Sequence, residues 1–550
     1  MGGRCLRYVG LLACTAVALG ACGGGSDGGT APQVPLPPDA QISHLSPVVA
    51  GCTGGAIAGR VFVNAEVEPW LAIDRRNGLH MVGAWQQDRW SNGSARALVS
   101  ASSADGGATW QTHLHPMSRC GGATPGSSGD FERVTDPWVD FSPDGTAHMM
   151  GLASSGLSLV DGSESAMLVS RSTDGGRSWS LPVALIHDRG LHHNDKNTLT
   201  ADPTDPNFVY TVWTRLARNG NGLTMFARSS DGGSSWGPAR VIVAPRELAA
   251  SATERSTTIG NRIVVLEGGR QRGALVNVYT QTDVSAGFTS RRIVAVHSLD
   301  KGLTWSAPSV VGNLRSVGTR DPATGVRVRD GNILPAVAAG PDGGMWVAWQ
   351  DARFTAGAHD AIVLARSIDG GRTWSAPVAI NRDAAVAAFT PVVHVRADGR
   401  IGVIHYDLRS DTADAGTLLA DAWLVTSADG ATWAETHVAG PFDLSEAPNS
   451  GGLFVGDYQG LASTATQFVA LLAVANRDAN NRTDVHSMRR DPDSPVALGT
   501  APRFRARGAV PALSPAAEAH FAAAQHDATL HSMERRVAGW GQRVGALRPR

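Results

Sequence analysis

Apolar positions along this 550-residue chain fall in short runs, and no long stretch keeps the three-to-four spacing of an amphipathic helix. Runs such as Ala166-Met-Leu-Val-Ser170 and Ala361-Ile-Val-Leu-Ala365 each lead into a polar, glycine-rich octet. A second short run follows, as in Ser375-Ala-Pro-Val-Ala-Ile380, so each octet predicts the turn of a β-hairpin. Six copies stand in register: Ser103 to Trp110, Ser172 to Trp179, Ser229 to Trp236, Ser298 to Trp305, Ser367 to Trp374 and a shortened Ser427 to Trp433. Their serines are 69, 57, 69, 69 and 60 residues apart, which suits one four-stranded sheet with generous loops per repeat.

The residue types follow from the turn. Ser and Asp side chains bond backbone groups of their own turn, and Gly takes left-handed positions at no steric cost. A Thr or Ser adds a local hydrogen bond, and the closing Trp inserts its ring between strands. These octets resemble the Asp-box (BNR) repeat of bacterial sialidases and related β-propellers. The resemblance implies an all-β propeller of four-stranded antiparallel blades and, because the boxes are structural, little about chemistry.

The rest of each repeat is legible too. Asp136 to Phe141 reads as an inner strand, Pro143-Asp-Gly145 as a turn and Thr146 to Ala153 as the next strand; Thr390 to Val395 and Ile401 to Tyr406 repeat the pattern. A seventh unit without an Asp box begins near Phe454, continues through Phe468 to Asn476 and reaches a strand at Asp484 to Met488. Seven blades are therefore favoured over six, with a segment near Ala56 to Asn64 as the strand that closes the ring and removes the exposed edges.

Composition adds compartment. Gly (64) and Trp (15) are abundant, charged residues make up 18%, and the net charge of -1 points to no nucleic-acid partner. Arg4 and Arg7 precede an apolar segment, and Leu19-Gly20-Ala21-Cys22 resembles the lipobox of bacterial lipoproteins. That resemblance implies a signal peptide over residues 1–21, acylation of Cys22, and an exported protein anchored to the cell envelope by lipid alone. Residues 22–51, rich in Gly, Pro and Ser, read as a tether, 52–509 as the propeller, and 510–550 as an appendage, helical or disordered. Cys52 and Cys120 remain as a pair suited to a disulfide in an oxidising compartment. No cofactor is expected, the only ion left open being a structural calcium, and a monomer is expected. His192-His193-Asn194-Asp195 shows no spaced third metal ligand.

Because the Asp boxes join third strands to fourth, the opposite face collects the starts of first strands and the ends of second strands. There stand Trp85-Gln-Gln-Asp88-Arg89, Trp349-Gln-Asp351-Ala-Arg353, Tyr406-Asp407-Leu-Arg409, Glu68, Asp136 and Gly456-Asp457-Tyr458-Gln459. Arginine forks suit a sugar carboxylate, and a tyrosine beside a carboxylate is the sialidase form of nucleophile. The resemblance thus implies an exo-α-sialidase-type glycoside hydrolase acting on extracytoplasmic glycans. In it Arg89, Arg353 and Arg409 bind the anion, Tyr458 attacks with help from Glu68 or Asp457, and Asp136 is the acid. Two features favour a non-catalytic propeller that binds a glycan or protein instead. Trp-x-Asp-x-Arg recurs from repeat to repeat, as a structural device does. And where sialidases open their first inner strand with Arg-Ile-Pro, this chain has Val67-Glu68-Pro69.

Overall fold

Each Asp box closes on itself through its own side chains. In the first, Ser103 Oγ accepts the Gly107 N–H at 2.7 Å and donates to Asp105 Oδ1 at 2.8 Å. Asp105 in turn accepts the Thr109 N–H and hydroxyl at 2.9 and 2.6 Å. Trp110 Nε1 donates to the Gly107 carbonyl at 3.1 Å. The same serine–aspartate–threonine (or serine) contacts recur at Asp174, Asp231, Asp300 and Asp369. Although desolvation opposes it, this set of donors holds the Asp105 carboxyl at about 2.

The computed structural model describes residues 39–55, 59–245, 254–286, 288–494 and 501–512, and all of 514–526 except 517, 520 and 524. The fold is all-β. Among the described residues, successive antiparallel meanders occupy 61–114, 133–189, 192–243, 255–313, 336–379, 388–443 and 460–490. Each of the first six has four strands, with the Asp box between third and fourth, as the octets require. The unit without an Asp box has three strands of its own, Gly460–Ser463, Phe468–Asp478 and Asn481–Arg490. Its fourth is Asp39–Gln41, which pairs antiparallel with Asn481–Arg490 through Asp39↔Met488, Ala40↔Ser487 and Gln41↔His486.

That corrects two sequence expectations. The strand completing the last unit is not Ala56 to Asn64, because Val61–Ile73 is already the first strand of the first unit. The strand Asp39–Gln41 falls inside the stretch 22–51 read as tether. Cys22 and the signal peptide lie outside the described residues. Cys52 and Cys120 are disulfide-bonded, with Cα atoms 5.7 Å apart. The chain's later segment straps the sheets: Arg503–Arg505 adds to the edge of Thr432–Asp443, and Ala379 exchanges backbone hydrogen bonds with Arg507. Helical residues between 515 and 526 pack beside it, Arg315 covering Phe521 and Gln525 Nε2 donating to the Leu314 carbonyl.

Second strands carry buried tryptophans whose indole N–H groups explain the recurring polar residue two positions on. Trp349 Nε1 donates to Asp351 Oδ2 at 2.9 Å and Trp85 Nε1 to Gln87 Oε1 at 3.2 Å. In the third unit the acceptor is Asn194 Oδ1, 2.7 Å from Trp213 Nε1.

Candidate functional site

A β-bulge near the start of the first strand is what aims side chains at one another. The ladder skips between Val67 and Trp70, Thr135 and Trp138, Asp195 and Thr198, Ile259 and Arg262, and Phe389 and Val392. At each skip one residue is left-handed: Glu68 (φ 54°), Asp136 (54°), Lys196 (51°), Gly260 (66°) and Thr390 (50°). A Pro follows Glu68, Asp136 and Thr390, at a position whose missing N–H costs the broken ladder nothing. The bulges turn Glu68, Asp136 and Lys196 off the sheets toward one region, on the face opposite the Asp boxes.

There Lys196 Nζ lies 3.0 Å from Glu68 Oε1, 2.7 Å from Asp457 Oδ2 and 3.5 Å from Asp136 Oδ1. Arg329 holds Asp457 from the other side, Nε to Oδ1 at 3.0 Å and Nη2 to Oδ2 at 2.5 Å. Gln86 Nε2 donates to Glu68 Oε2 and Arg89 Nη1 to Gln86 Oε1, while Arg89 Nε reaches Ser450 Oγ at 3.2 Å. The Phe454 ring is flanked by the guanidinium groups of Arg89 at 4.6 Å and Arg329 at 4.3 Å. Glu68, Asp136, Lys196, Asp457 and Arg89 are all buried.

Burial splits the carboxyls apart electrostatically. Desolvation pushes Glu68 up to about 7 against the pull of Lys196, with Asp136 and Asp457 adding to the rise. Desolvation also opposes ionisation of Asp457, but Arg329 and Lys196 hold it well below the usual carboxylate range. Burial and Arg329 bring Arg89 down to about 10. The result is one carboxyl that carries a proton near neutral pH beside one that stays ionised.

Above this group opens a cavity of about 400 Å³. Its wall includes Arg89, Asp136, Lys196, Asp457, Arg133, His193, Asp195, the 91–94 turn and the loop 327–334. Tyr458 belongs to a second, smaller cavity of about 50 Å³, with Trp70, Trp138, Asn197 and Arg262. Trp70 and Trp138 stack with centroids 3.6 Å apart, and Arg262 lies over both rings. The Tyr458 hydroxyl donates to the Pro137 carbonyl at 3.4 Å, and desolvation followed by Glu68, Asp136 and Asp457 raises its pKa well above the phenol range.

Of the residues singled out from sequence, Glu68, Asp136, Asp457 and Arg89 come together, and the Tyr458 ring lies 5.4 Å from the Lys196 ammonium they share. Arg353 and Arg409 do not join them. Arg353 is held by Asp351, Nε to Oδ1 at 2.8 Å, and by the Asn313 carbonyl. Arg409 is held by Asp407 and by Glu435, at 2.7 and 3.0 Å, over the Trp423 ring. Two central residues carried no role in the sequence reading, although Lys196 stands among the first-strand starts on this face. Lys196 has no Pro after it, so the bulge pattern shared with Glu68 and Asp136 is hidden in its sequence. Arg329 sits on an extra loop ahead of the fifth unit that no repeat foreshadows. Among the described residues no group of three or more His, Cys, Asp or Glu side chains is placed to hold a metal ion.

Residues 209–438 match a family described as BNR repeat-like domain. No curated protein matches the chain. Among solved structures, a protein of unknown function from Dyadobacter fermentans is similar at 15% identity and TM-score 0.42, over 82% of this chain and 98% of that one. A leech intramolecular trans-sialidase is similar at 13% identity and TM-score 0.39, over 79% and 70%. An α-L-arabinofuranosidase from Fusarium graminearum is similar at 13% and 0.40, over 66% and 94%.

Proposed function

We propose that this chain, a member of the Asp-box (BNR-repeat) family, is a sialidase-like glycoside hydrolase acting on extracytoplasmic glycans. In this reading the seven meanders form a closed seven-bladed propeller, lipid-anchored through Cys22, and the cavity face takes the glycan. The observation that carries it is the meeting of Glu68, Asp136 and Asp457 around Lys196, with Asp136, Asp457 and Lys196 lining a cavity large enough for a sugar unit. Glycoside hydrolysis needs an acid that protonates the leaving oxygen and a negative group facing the anomeric carbon. Asp136, the carboxyl on the cavity wall, is the acid, and Glu68, raised to about 7 by desolvation, stands behind it across Lys196. Asp457, kept ionised by Arg329 and Lys196 despite its burial, stabilises positive charge building on the sugar. Lys196 sets the spacing of all three. The nucleophile role that the exo-α-sialidase form of this reaction gives Tyr458 requires its hydroxyl to leave the Pro137 carbonyl and reach this cavity from the neighbouring one.

A second reading, a non-catalytic glycan-binding propeller, is favoured by the extent to which the cavity's cations are already engaged by the protein's own carboxylates. A panel of fluorogenic glycosides, α-sialoside first and neutral hexosides and pentosides beside it, decides between the two. Release of fluorophore from any member, lost in Asp136→Asn, supports the hydrolase. No release across the panel between acid and neutral pH, with binding retained, establishes the binding protein.

A further inference from the structure

The smaller cavity has a chemistry of its own, and we infer that it holds a chloride-sized anion between the guanidinium of Arg262 and the indole N–H groups of Trp70 and Trp138. The bulges build its wall. Trp70, Trp138, Thr198, Arg262 and Val392 are the residues at which each ladder resumes after its skip, and all five line this cavity. Its volume of about 50 Å³ is far below the roughly 300 Å³ at which small-molecule pockets begin. It still exceeds the roughly 10–15 Å³ that a single water needs.

Three donors on this wall have no acceptor. Trp70 and Trp138 are only 5% and 6% exposed, yet among the described residues neither indole N–H is hydrogen-bonded. A buried indole N–H ordinarily finds a partner, as those of Trp85, Trp213 and Trp349 do. Arg262 likewise makes no hydrogen bond or ion pair among the described residues, its contacts being the faces of the two indoles. Asp140 acts on it only at a distance, because its two oxygens accept the Phe141 and Ala201 N–H groups, each at 2.9 Å. Burial accordingly brings Arg262 down to about 10 against the pull of Asp140.

Charge selects the occupant. The wall carries two cations, Lys196 and Arg262, and one carboxylate, Asp457, which Lys196 and Arg329 already hold. A guanidinium drawn out of water without a partner is costly. A water molecule in the cavity would take the three N–H groups but leave that charge uncompensated, whereas a small anion answers both. Trp70, Trp138 and Arg262 come from the first, second and fourth units, so the ion would also bridge three sheets.

The test is chloride binding to the intact chain, read by line broadening in chloride NMR and by thermal unfolding in sodium chloride against sodium gluconate of equal ionic strength. The melting temperature should climb with the logarithm of chloride concentration and stay level in gluconate. Arg262→Gln should weaken chloride binding about tenfold or more, as loss of a charged hydrogen-bond donor does, with circular dichroism confirming the fold. Trp138→Phe keeps the ring and loses only its donor, so it should weaken binding about threefold or more and decides the matter if Arg262→Gln does not fold. Absence of both broadening and chloride-specific stabilisation in the parent overturns the inference. So does chloride binding that Arg262→Gln and Trp138→Phe leave unchanged, which would put the ion elsewhere.

Discussion

Lys196 and Asp457 meet at 2.7 Å although they come from the third unit and from the loop ahead of the last. Each is also bound to groups from other sheets, Lys196 to Glu68 and Asp136, Asp457 to Arg329. One ammonium thus ties the first strands of the first, second and third units to the loop ahead of the last. Removing it strands three buried carboxylates. Lys196→Met should therefore cost about 3–5 kcal/mol of unfolding free energy, read from urea denaturation. A loss below about 1 kcal/mol would mean the group is solvated like a surface pair.

The protonation of Glu68 gives stability a pH signature of known sign. Its folded value, about 7, lies above its ordinary 4.5, with desolvation the leading cause. Folding therefore favours the protonated form: the contribution is full below the ordinary value and is lost as pH rises through about 7. Glu68→Gln removes that loss, so the difference in melting temperature, variant minus parent, should climb between roughly pH 5 and 8. A flat difference would contradict the raised value.

How much of this was legible in the sequence follows from what kind of force places each residue. Local turn chemistry is written in consecutive residues, so Ser103-Ala-Asp105 and its repeats disclosed the hairpins, the unit length and the face to inspect. The bulges at Glu68 and Asp136 leave a trace as well, because both precede a Pro. Lys196 leaves none: its role depends on partners 60 and 128 residues away. The fate of Arg353 and Arg409 was hidden for the same reason, since only the fold shows that Asp351 and Glu435 claim them. Asp39–Gln41, too short and too polar to register as a strand, becomes one because Asn481–Arg490 offers it an open edge.

Loss of an Asp-box carboxylate should be felt as stability alone. Asp231 accepts from the Ser229 hydroxyl and from the N–H and hydroxyl of Ser235. Asp231→Ala should lower the unfolding free energy by about 1–3 kcal/mol, given the worth of hydrogen bonds to a charged group. Glycan affinity at 25 °C should be unchanged, since the box and the cavity occupy opposite faces. A selective loss of affinity in a folded variant would refute that separation.

The Cys52–Cys120 bridge spans 68 residues, enclosing the whole of the first unit. Replacing both cysteines by serine should cost about 4 kcal/mol on the chain-entropy estimate for a loop of that length. Thermal unfolding with and without reductant should show the same gap in the parent, and none in the double variant.

Completion of the last sheet by Asp39–Gln41 has a mechanical side. This strand runs antiparallel to Asn481–Arg490, with Asp39 at the end nearest the Asp boxes. A tension acting on Asp39 along the strand axis loads its cross-strand bonds in shear, all together. The Ile42 N–H bond to the Val485 carbonyl and the Ser43–Asp484 contact continue the same seam. A pull in this direction meets the sheet where it resists as a block, whereas a pull on Gln41 away from the sheet would open the seam one bond at a time. A load along the strand is thus carried into the last unit at the end away from the cavity face.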